Sequence, residues 1–287
     1  ILLAKDSVRV NRFRLQSGNQ KAKIHGTYAF NGKESLSIEL DSISLSSLAR
    51  FTNFQSPIDG KLNSSVYLKG TAEKPSLDAK LHIDHPQFDS LHFQKIQTNL
   101  SYKNDSISFD GKINTKDTLL LQAYAKFPYH LSLKDTIRMP GKTTPLEASM
   151  FVNQFNLNWL NSLLTHPGMQ LNGQLTLDAS VSNTFGKPNY QGRITMNKGE
   201  FSFKQMGINY TDIDLQSDFT ENKLELNQLK MKSGDGKLNI SGNLDLALLN
   251  PKEDNSIYLN IKGNQFQAIN SNLARATITP DIVLEGT

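Results

Sequence analysis

Apolar and polar residues alternate along most of this chain, and this alternation constrains the fold more than any other feature. Residues 61–69, 77–83 and 174–181 all show it. Successive side chains of a β-strand point to opposite faces, so each segment predicts a strand with one apolar and one polar face. A sheet buried on both faces would show continuous apolar runs instead. The sequence therefore predicts a sheet that meets water on one side.

Turn signals separate these segments at the spacing of antiparallel hairpins. Examples are Asn104-Asp105, Gly186-Lys187-Pro188 and Gly234-Asp235-Gly236. Three short segments have helical spacing instead, and each follows a residue type that caps helices. They are residues 45–51 after Ser44, 157–164 after Asn156 and 266–273 after Asn264. Such short helices are not stable alone in water, so we expect them to pack against an end or edge of the sheet.

Two distant parts of the chain are similar to each other. Residues 6–26 align without gaps to residues 222–242, an offset of 216, with identical Asn11/Asn227, Ser17/Ser233, Gly18/Gly234, Lys21/Lys237, Ile24/Ile240 and Gly26/Gly242. In both copies the apolar spacing changes from two to three and back to two. That change would move the apolar residues to the wrong face unless one extra residue bulges out. Both copies therefore predict a β-bulge.

Half of that offset is visible too, and it predicts repeats of about 110 residues. Gly60, Leu62, Pro75, Leu81 and Phe88 match Gly173, Leu175, Pro188, Ile194 and Phe201 at an offset of 113. We assign residues 1–34 to the end of one repeat, 35–145 and 146–252 to two further repeats, and 253–287 to the start of another. The expected fold is all-β with a few short helices, as one continuous, elongated fragment.

Composition excludes several classes of function. The 287 residues include no cysteine, which excludes disulfides, zinc-thiolate sites and a thiol nucleophile. The net charge of +4 is spread over 31 basic and 27 acidic residues without a basic block, so we expect no nucleic-acid partner. No apolar run approaches the ~20 residues that span a bilayer.

No catalytic or metal-binding pattern stands out. His82 and His85 would point to opposite faces of a strand, so they cannot share a metal without a bend. Asp212 and Asp214 are interpreted as a solvated acidic pair. Phosphate-loop, H-E-x-x-H and G-x-S-x-G patterns are missing from the sequence. We therefore expect a protein that is not an enzyme and that uses no metal or cofactor.

The arrangement of motifs resembles the TamB and AsmA-like group of bacterial envelope proteins. The resemblance is carried by GKLNSSVYLKGTAEKPSLDAKLHI at Gly60–Ile83, by its partner at Asn172–Phe203, by NLNWLNSLL at Asn156–Leu164 and by SGDGKLNISGNLDL at Ser233–Leu246. The second copy departs from the pattern with Val181-Ser182 where Gly-Thr is expected. The TamB-like branch fits best.

This resemblance implies a long, curved antiparallel sheet, a taco-shaped fold with a hydrophobic groove that crosses the periplasm of a Gram-negative bacterium. It also implies a role in phospholipid transport and, with an Omp85-type outer-membrane barrel of the TamA kind, in outer-membrane protein assembly. The full-length protein would be membrane-associated. Its inner-membrane anchor and the region that meets the barrel would lie outside this fragment.

An apolar sheet face without a covering layer is itself a binding surface. Moving a two-chain lipid through water exposes ~30 methylenes at ~0.8 kcal/mol each, about 24 kcal/mol, and a groove that covers the acyl chains removes most of this barrier. The predicted groove-lining residues are Leu62, Val66, Leu68, Leu81, Ile83, Leu119, Leu121, Leu175, Leu177, Val181, Ile194, Met196, Phe201, Phe203, Ile213, Leu215, Leu224, Leu226, Leu238 and Ile240.

Two other functions fit the same pattern. The chain could be a protein-interaction scaffold, with a chaperone-like role, whose strand edges add a strand from an outer-membrane β-barrel client or partner. It could also be an adhesin or structural β-sandwich, in which case the apolar face would be a closed, inaccessible core.

Overall fold

The structure is a computed structural model of the chain. It describes residues 1–4, 7–29, 32–51, 57–89, 91–116, 118–134, 136, 138–164, 166, 168–221, 223–245 and 256–286. Two compact units are present, and each is described by itself. Unit 1 comprises Ile1–Ser149 and Ser182–Pro188, and unit 2 comprises Met150–Val181 and Asn189–Thr287.

About three quarters of the described residues are in strands, as the period-two pattern predicts. The strands are β1 (Leu2–Ala4), β2 (Ser7–Ser17), β3 (Gln20–Ala29), β4 (Lys33–Ser44), β5 (Ile58–Thr71), β6 (Pro75–Phe88), β7 (Leu91–His92), β8 (Lys95–Lys103), β9 (Ser106–Thr115), β10 (Thr118–Pro128), β11 (Glu147–Asn156), β12 (Met169–Thr184), β13 (Lys187–Phe203), β14 (Ile208–Glu221), β15 (Lys223–Ser233), β16 (Gly236–Asp245), β17 (Ile257–Asn264), β18 (Phe266–Asn270), β19 (Arg275–Ile278) and β20 (Asp281–Gly286). Within the described ranges the helices are α1 (Leu45–Phe51) and two 3₁₀ helices, Leu157–Leu163 and Lys204–Met206.

The predicted all-β, antiparallel fold is confirmed. Eighteen of the strands belong to one hydrogen-bonded sheet, and β18 and β19 form a separate two-stranded hairpin. In unit 1 the strands pair in chain order from β1 to β6, then β6 pairs with β8, β8 with β9 and β9 with β10. In unit 2 the order is β13, β14, β15, β16, β17 and β20.

Both β-bulges predicted from the internal repeat are confirmed. The β2–β3 register shifts between Val10 and Phe13, and the β15–β16 register shifts between Leu226 and Leu229. The shared glycine at the end of each copy also has a structural reason. Gly242 has φ +152, and a Cβ there would overlap the carbonyl oxygen of Tyr258 on the neighbouring strand. Glycine is the residue that allows such a close approach of two backbones.

Left-handed backbone positions recur at the spacing of the predicted repeat. Ser42, Gln154 and Gln265 have positive φ at intervals of 112 and 111 residues, and His85 and Lys198 have it at an interval of 113. The proposed repeat boundaries remain predictions. The last of them, between residues 252 and 253, lies outside the described residues.

Of the three predicted helices, the first is confirmed. Ser44 precedes α1 and its Oγ accepts a hydrogen bond from the Ser47 N–H at 3.2 Å. Asn156 caps the second, as its side chain accepts from the Asn158 N–H at 3.0 Å, but this helix is 3₁₀ rather than α-helical.

The third predicted helix is wrong. Residues 266–273 form β18 and a tight turn that leads into β19. Ser271 organises the turn, because its Oγ accepts hydrogen bonds from the Leu273 and Ala274 N–H groups. Phe266 is buried at 2% exposure, whereas Leu273 is 97% exposed. A serine turn and long-range burial of Phe266 therefore override the short helical pattern.

Across the described part of the chain, no helix has the length and apolar character needed to cross a membrane.

Candidate functional site

The strand registers align apolar residues into rows that run across the sheet. In unit 1, Leu62 on β5 faces both Ile43 on β4 and Ile83 on β6. The row continues over the following strands through Ile96, Ile113 and Leu121. Directly opposed side chains lie on one face of a sheet, so this row is a continuous apolar strip.

Unit 2 has the same arrangement. Leu215 on β14 faces Met196 on β13 and Leu229 on β15. The row extends to the edge of the unit through Ile240, Ile261 and Ile282. We call the face that carries these rows the apolar face of each unit, and the opposite face the polar face.

Most of the predicted groove-lining residues occupy these faces. In unit 1 the strand pairing places Leu62, Val66, Leu68, Leu81, Ile83 and Leu121 together. Leu119 does not share a row with Leu121, because a bulge separates them: Leu119 faces Asn114, and Leu121 faces Ile113. In unit 2 the pairing gathers Ile194, Met196, Phe201, Phe203, Ile213, Leu215, Leu224, Leu226, Leu238 and Ile240.

The β12 residues line an apolar depression within unit 2. Leu177, Val181 and Phe219 contribute to a concavity of about 280 Å³, together with Ala179 and Tyr190. Leu175 lies two residues before Leu177 on the same strand, so alternation places it on the same face.

These side chains are covered incompletely. Leu62, Ile83 and Ile213 are buried at 8%, 8% and 6% exposure, while the other seventeen predicted lining residues are only partly buried. A closed sandwich core would bury most of them fully. Partial burial therefore favours an accessible surface over the closed core of a β-sandwich.

Among the polar residues buried on or next to these faces, Ser217 and Glu34 differ in whether they have a hydrogen-bond partner. Ser217 is 2% exposed, and its Oγ donates a hydrogen bond to the carbonyl oxygen of Glu225 at 2.9 Å. Glu34 is 3% exposed, and neither carboxylate oxygen has a hydrogen-bond partner. It shares a strand face with Leu36, and its cross-strand neighbour Gly70 offers no side chain. Burial raises the pKa of the Glu34 carboxyl, because a low-dielectric site disfavours the charged form.

In unit 2 the β18–β19 hairpin packs at one end of the apolar face. The rings of Phe266 and Tyr210 lie 5.1 Å apart. The Tyr210 hydroxyl donates to the carbonyl oxygen of Ala268 at 2.9 Å, and the Ser233 hydroxyl donates to that of Gln267 at 2.7 Å. This cover was not predicted from the sequence, since its segment was assigned to a helix.

Unit 1 has a comparable cover formed by the segment after β10. The backbone N–H of Leu131 donates to the hydroxyl of Tyr102 at 3.0 Å. The N–H of Leu133 donates to the carbonyl oxygen of Ala72 at 2.7 Å. Tyr102 and Ala72 are each only 3% exposed. Tyr129, Leu131 and Leu133 alternate with polar residues, but this pattern predicts a strand and does not indicate the contact with Tyr102 and Ala72.

The polar residues considered as chemical candidates lie elsewhere. His82 Nε2 lies 2.7 Å from Asp84 Oδ1, and Asp212 pairs with Lys232. Within the described ranges, no group of three or more His, Asp or Glu side chains could hold a metal ion. The absence of catalysis and of a cofactor remains a prediction.

The structure is an antiparallel sheet with one accessible apolar face. This is the kind of fold that the resemblance to TamB-like proteins implies. In a comparison with curated proteins, the chain is 25% identical over 203 residues to the translocation and assembly module subunit TamB of Haemophilus influenzae. The match covers 71% of this chain but 14% of the relative, so the chain spans about a seventh of that protein's length. It supports a distant similarity to TamB-like proteins. No protein-family model matches the chain, and no solved structure matches it.

Proposed function

We propose that this chain is a segment of a non-enzymatic phospholipid conduit whose apolar faces shield acyl chains. One observation carries the proposal: apolar side chains form continuous rows across neighbouring strands and yet remain partly exposed. Contiguous exposed apolar surface of this kind marks an interaction site. A row runs perpendicular to the strands, so a flexible chain lying along it contacts the same face of each strand in turn.

Energetics support lipid as the ligand. Exposing the ~30 methylenes of a phospholipid to water costs about 24 kcal/mol, and contact with an apolar face removes part of that cost without specific recognition. The rows consist of aliphatic side chains, which suits acyl chains better than ligands that need hydrogen bonds.

The cellular setting of the proposal rests on similarity to TamB. We place the protein in the periplasm of a Gram-negative bacterium, with the full-length protein anchored in the inner membrane. Its partner at the outer membrane would be a TamA-like barrel that binds outside this fragment.

Site-specific photo-crosslinking in cells tests the proposal. A photoreactive amino acid at Leu226 or Leu177 lies on the apolar face, and one at Glu225 or Asp178 lies on the polar face one residue away. We expect phospholipid adducts, detected by mass spectrometry, at the first pair and not at the second. Equal capture at both pairs, or none at Leu226 and Leu177, would contradict a lipid-bearing face.

The second candidate is a scaffold that binds an outer-membrane client or partner by strand addition. In the described residues β20 pairs with β17 on one side, and Ile282, Val283 and Leu284 on it are 50%, 54% and 45% exposed. A strand whose second side has no partner among the described residues is a template for another strand. Purified protein that carries no lipid but binds extended β-peptides, with loss of binding on Val283→Pro, would favour this candidate.

A further inference from the structure

Five lysines of unit 2 converge on one concavity of the polar face. This lysine cluster consists of Lys198, Lys230, Lys232, Lys237 and Lys262. The concavity has a volume of about 620 Å³, within the range of ~300–1,000 Å³ that is typical of small-ligand sites. Asp212 and Asp214 also line it. Five lysines against two aspartates leave a net charge of +3.

Cross-strand pairing brings these lysines together. Lys232 on β15 directly faces Lys237 on β16. Lys230 faces Asn239, which in turn faces Lys262 on β17. Like charges directly opposite each other destabilise a sheet. The stability of the sheet therefore does not explain the Lys232–Lys237 pair, whereas Lys230 and Lys262 each face an aspartate, Asp214 and Asp281.

Ion pairs within the chain neutralise only part of this charge. Lys232 Nζ lies 2.9 Å from Asp212 Oδ2, and Lys262 Nζ lies 4.0 Å from Asp281 Oδ1. In the described part of the chain, no carboxylate oxygen lies within 4.0 Å of the ammonium groups of the other three lysines. These three ammonium groups are available to an anion.

Backbone irregularities contribute to the shape of the concavity. Lys198 and Asp212 have positive φ, +53 and +49, at register shifts in β13 and β14. A bulge bends its strand and redirects the side chain it carries. The two side chains thereby join the rim of the concavity.

Unit 1 holds the repeat-equivalent hairpin and serves as an internal comparison. Lys21 there corresponds to Lys237 in the gap-free alignment. On the next strand, Asp41 faces Lys21 and Glu39 faces Lys23. Lys23 Nζ lies 3.5 Å from Glu39 Oε2. In unit 1 the third strand therefore supplies carboxylates opposite the lysines.

Unit 2 lacks both carboxylates at the same pairing positions. Asn264 faces Lys237, and Lys262 faces Asn239. Unit 1 shows that the same hairpin geometry can carry lysines whose charge is neutralised by carboxylates on the facing strand. The positive charge in unit 2 is not a requirement of the fold.

We propose that the lysine cluster binds a phosphate-bearing anion, either a soluble polyphosphate or the headgroup of an anionic phospholipid. The lysine ammonium is a compact charge with three hydrogen-bond donors, and phosphate oxygens accept such bonds. A ligand with several negative charges matches the net charge of +3. The lysines lie on the polar face, so the site does not depend on acyl-chain binding by the apolar face.

A charge exchange that copies the unit 1 arrangement tests the proposal. Lys262→Glu with Asn264→Asp introduces carboxylates where unit 1 has them and lowers the net charge of the site by three. Both positions are exposed. Residue 264 faces Lys237, and residue 262 faces Asn239 on one side and Asp281 on the other, so only one of the two new carboxylates meets an acidic neighbour. The control is Lys80→Glu with Asn99→Asp, an exposed pair of the same residue types that face each other on the polar face of unit 1.

Two probes distinguish the source of the phosphate. Sodium tripolyphosphate is titrated by calorimetry, and phosphatidylcholine vesicles with and without phosphatidic acid are used in sedimentation assays, both at low ionic strength. We expect binding in at least one assay, weakened about tenfold or more by the unit 2 exchange, since the exchange lowers the charge of the site and phosphate contacts with lysine are charge-assisted. The control should change affinity by less than about twofold.

The assay that detects binding identifies the ligand as soluble polyphosphate or lipid headgroup. Binding of neither probe, or equal weakening by exchange and control, would overturn the proposal. Thermal unfolding of both variants verifies that they are folded. Lys198→Gln with Lys230→Gln and Lys237→Gln is a second variant that introduces no carboxylate, and retention of full affinity by it would also overturn the proposal.

Discussion

At the scale of single residues, Glu34 stands apart from its surroundings. It is an acidic residue on a strand face with apolar neighbours, 3% exposed and without a hydrogen-bond partner. Burial raises the pKa of its carboxyl. A group with a raised pKa in the folded state stabilises the fold below its unfolded pKa, and that contribution is lost as the pH rises through the folded pKa.

We therefore predict that Glu34→Gln stabilises the protein at neutral pH. Glutamine removes the need to bury a charge without partners, which costs ~1–3 kcal/mol. The gain should grow as the pH rises through the raised pKa of Glu34 and should vanish at low pH, where the wild-type carboxyl is protonated. Urea unfolding from pH 4 to 8 measures it. Glu39→Gln, on the same strand but with an exposed carboxylate, is the control, and a pH-independent difference for Glu34→Gln would contradict the explanation.

At the scale of elements, the β18–β19 hairpin shows how a short segment is held by one side chain. A two-stranded hairpin is marginally stable alone in water. Here Phe266 is buried against Tyr210, and backbone carbonyls of β18 accept hydrogen bonds from Tyr210 and Ser233. Tertiary contacts, rather than local propensity, therefore hold this element.

Phe266→Ala should destabilise unit 2 by about 3–5 kcal/mol, because it removes a fully buried aromatic ring and leaves a cavity. Hydrogen exchange should show loss of protection in β18 and β19 first. Leu273→Ala, at the 97% exposed hairpin tip, should change stability by less than about 0.5 kcal/mol. Similar effects of the two substitutions would show that Phe266 does not anchor the hairpin.

At the scale of the whole molecule, the two units use one strand pattern with different surface charge. Hairpin, bulge and glycine recur between residues 6–26 and 222–242. The strand that follows carries carboxylates in unit 1 and asparagine and lysine in unit 2. The strand pattern is the same in both copies. The residues on the polar face differ, and the two units therefore differ in charge there.

The difference in charge predicts that a second anion site can be created in unit 1. Glu39→Lys with Asp41→Asn reproduces there the pattern that faces the unit 2 hairpin. The number of ligands bound per chain, measured with the probe that binds the wild-type protein, should rise from one to two. An unchanged stoichiometry in a folded variant would show that lysine spacing alone is insufficient and that the bulges at Lys198 and Asp212 are needed as well.

Features with a local, repeated signal could be predicted from the sequence. The bulges between Val10 and Phe13 and between Leu226 and Leu229 followed from a change of apolar spacing. Prediction failed at residues 266–273, where a few apolar residues at helical spacing were outweighed by distant contacts. Leu119 shows the same limit on a smaller scale, because a bulge that the sequence did not indicate separates it from the row of Leu121.

The order of residues along the chain is enough to specify antiparallel strands with one apolar and one polar face, because side chains alternate with a period of two whatever the strand pairs with. Which side chains meet is a property of the folded molecule. The burial of Glu34, the anchoring of Phe266 and the gathering of five lysines depend on the register between strands, which residues far apart in the chain set together.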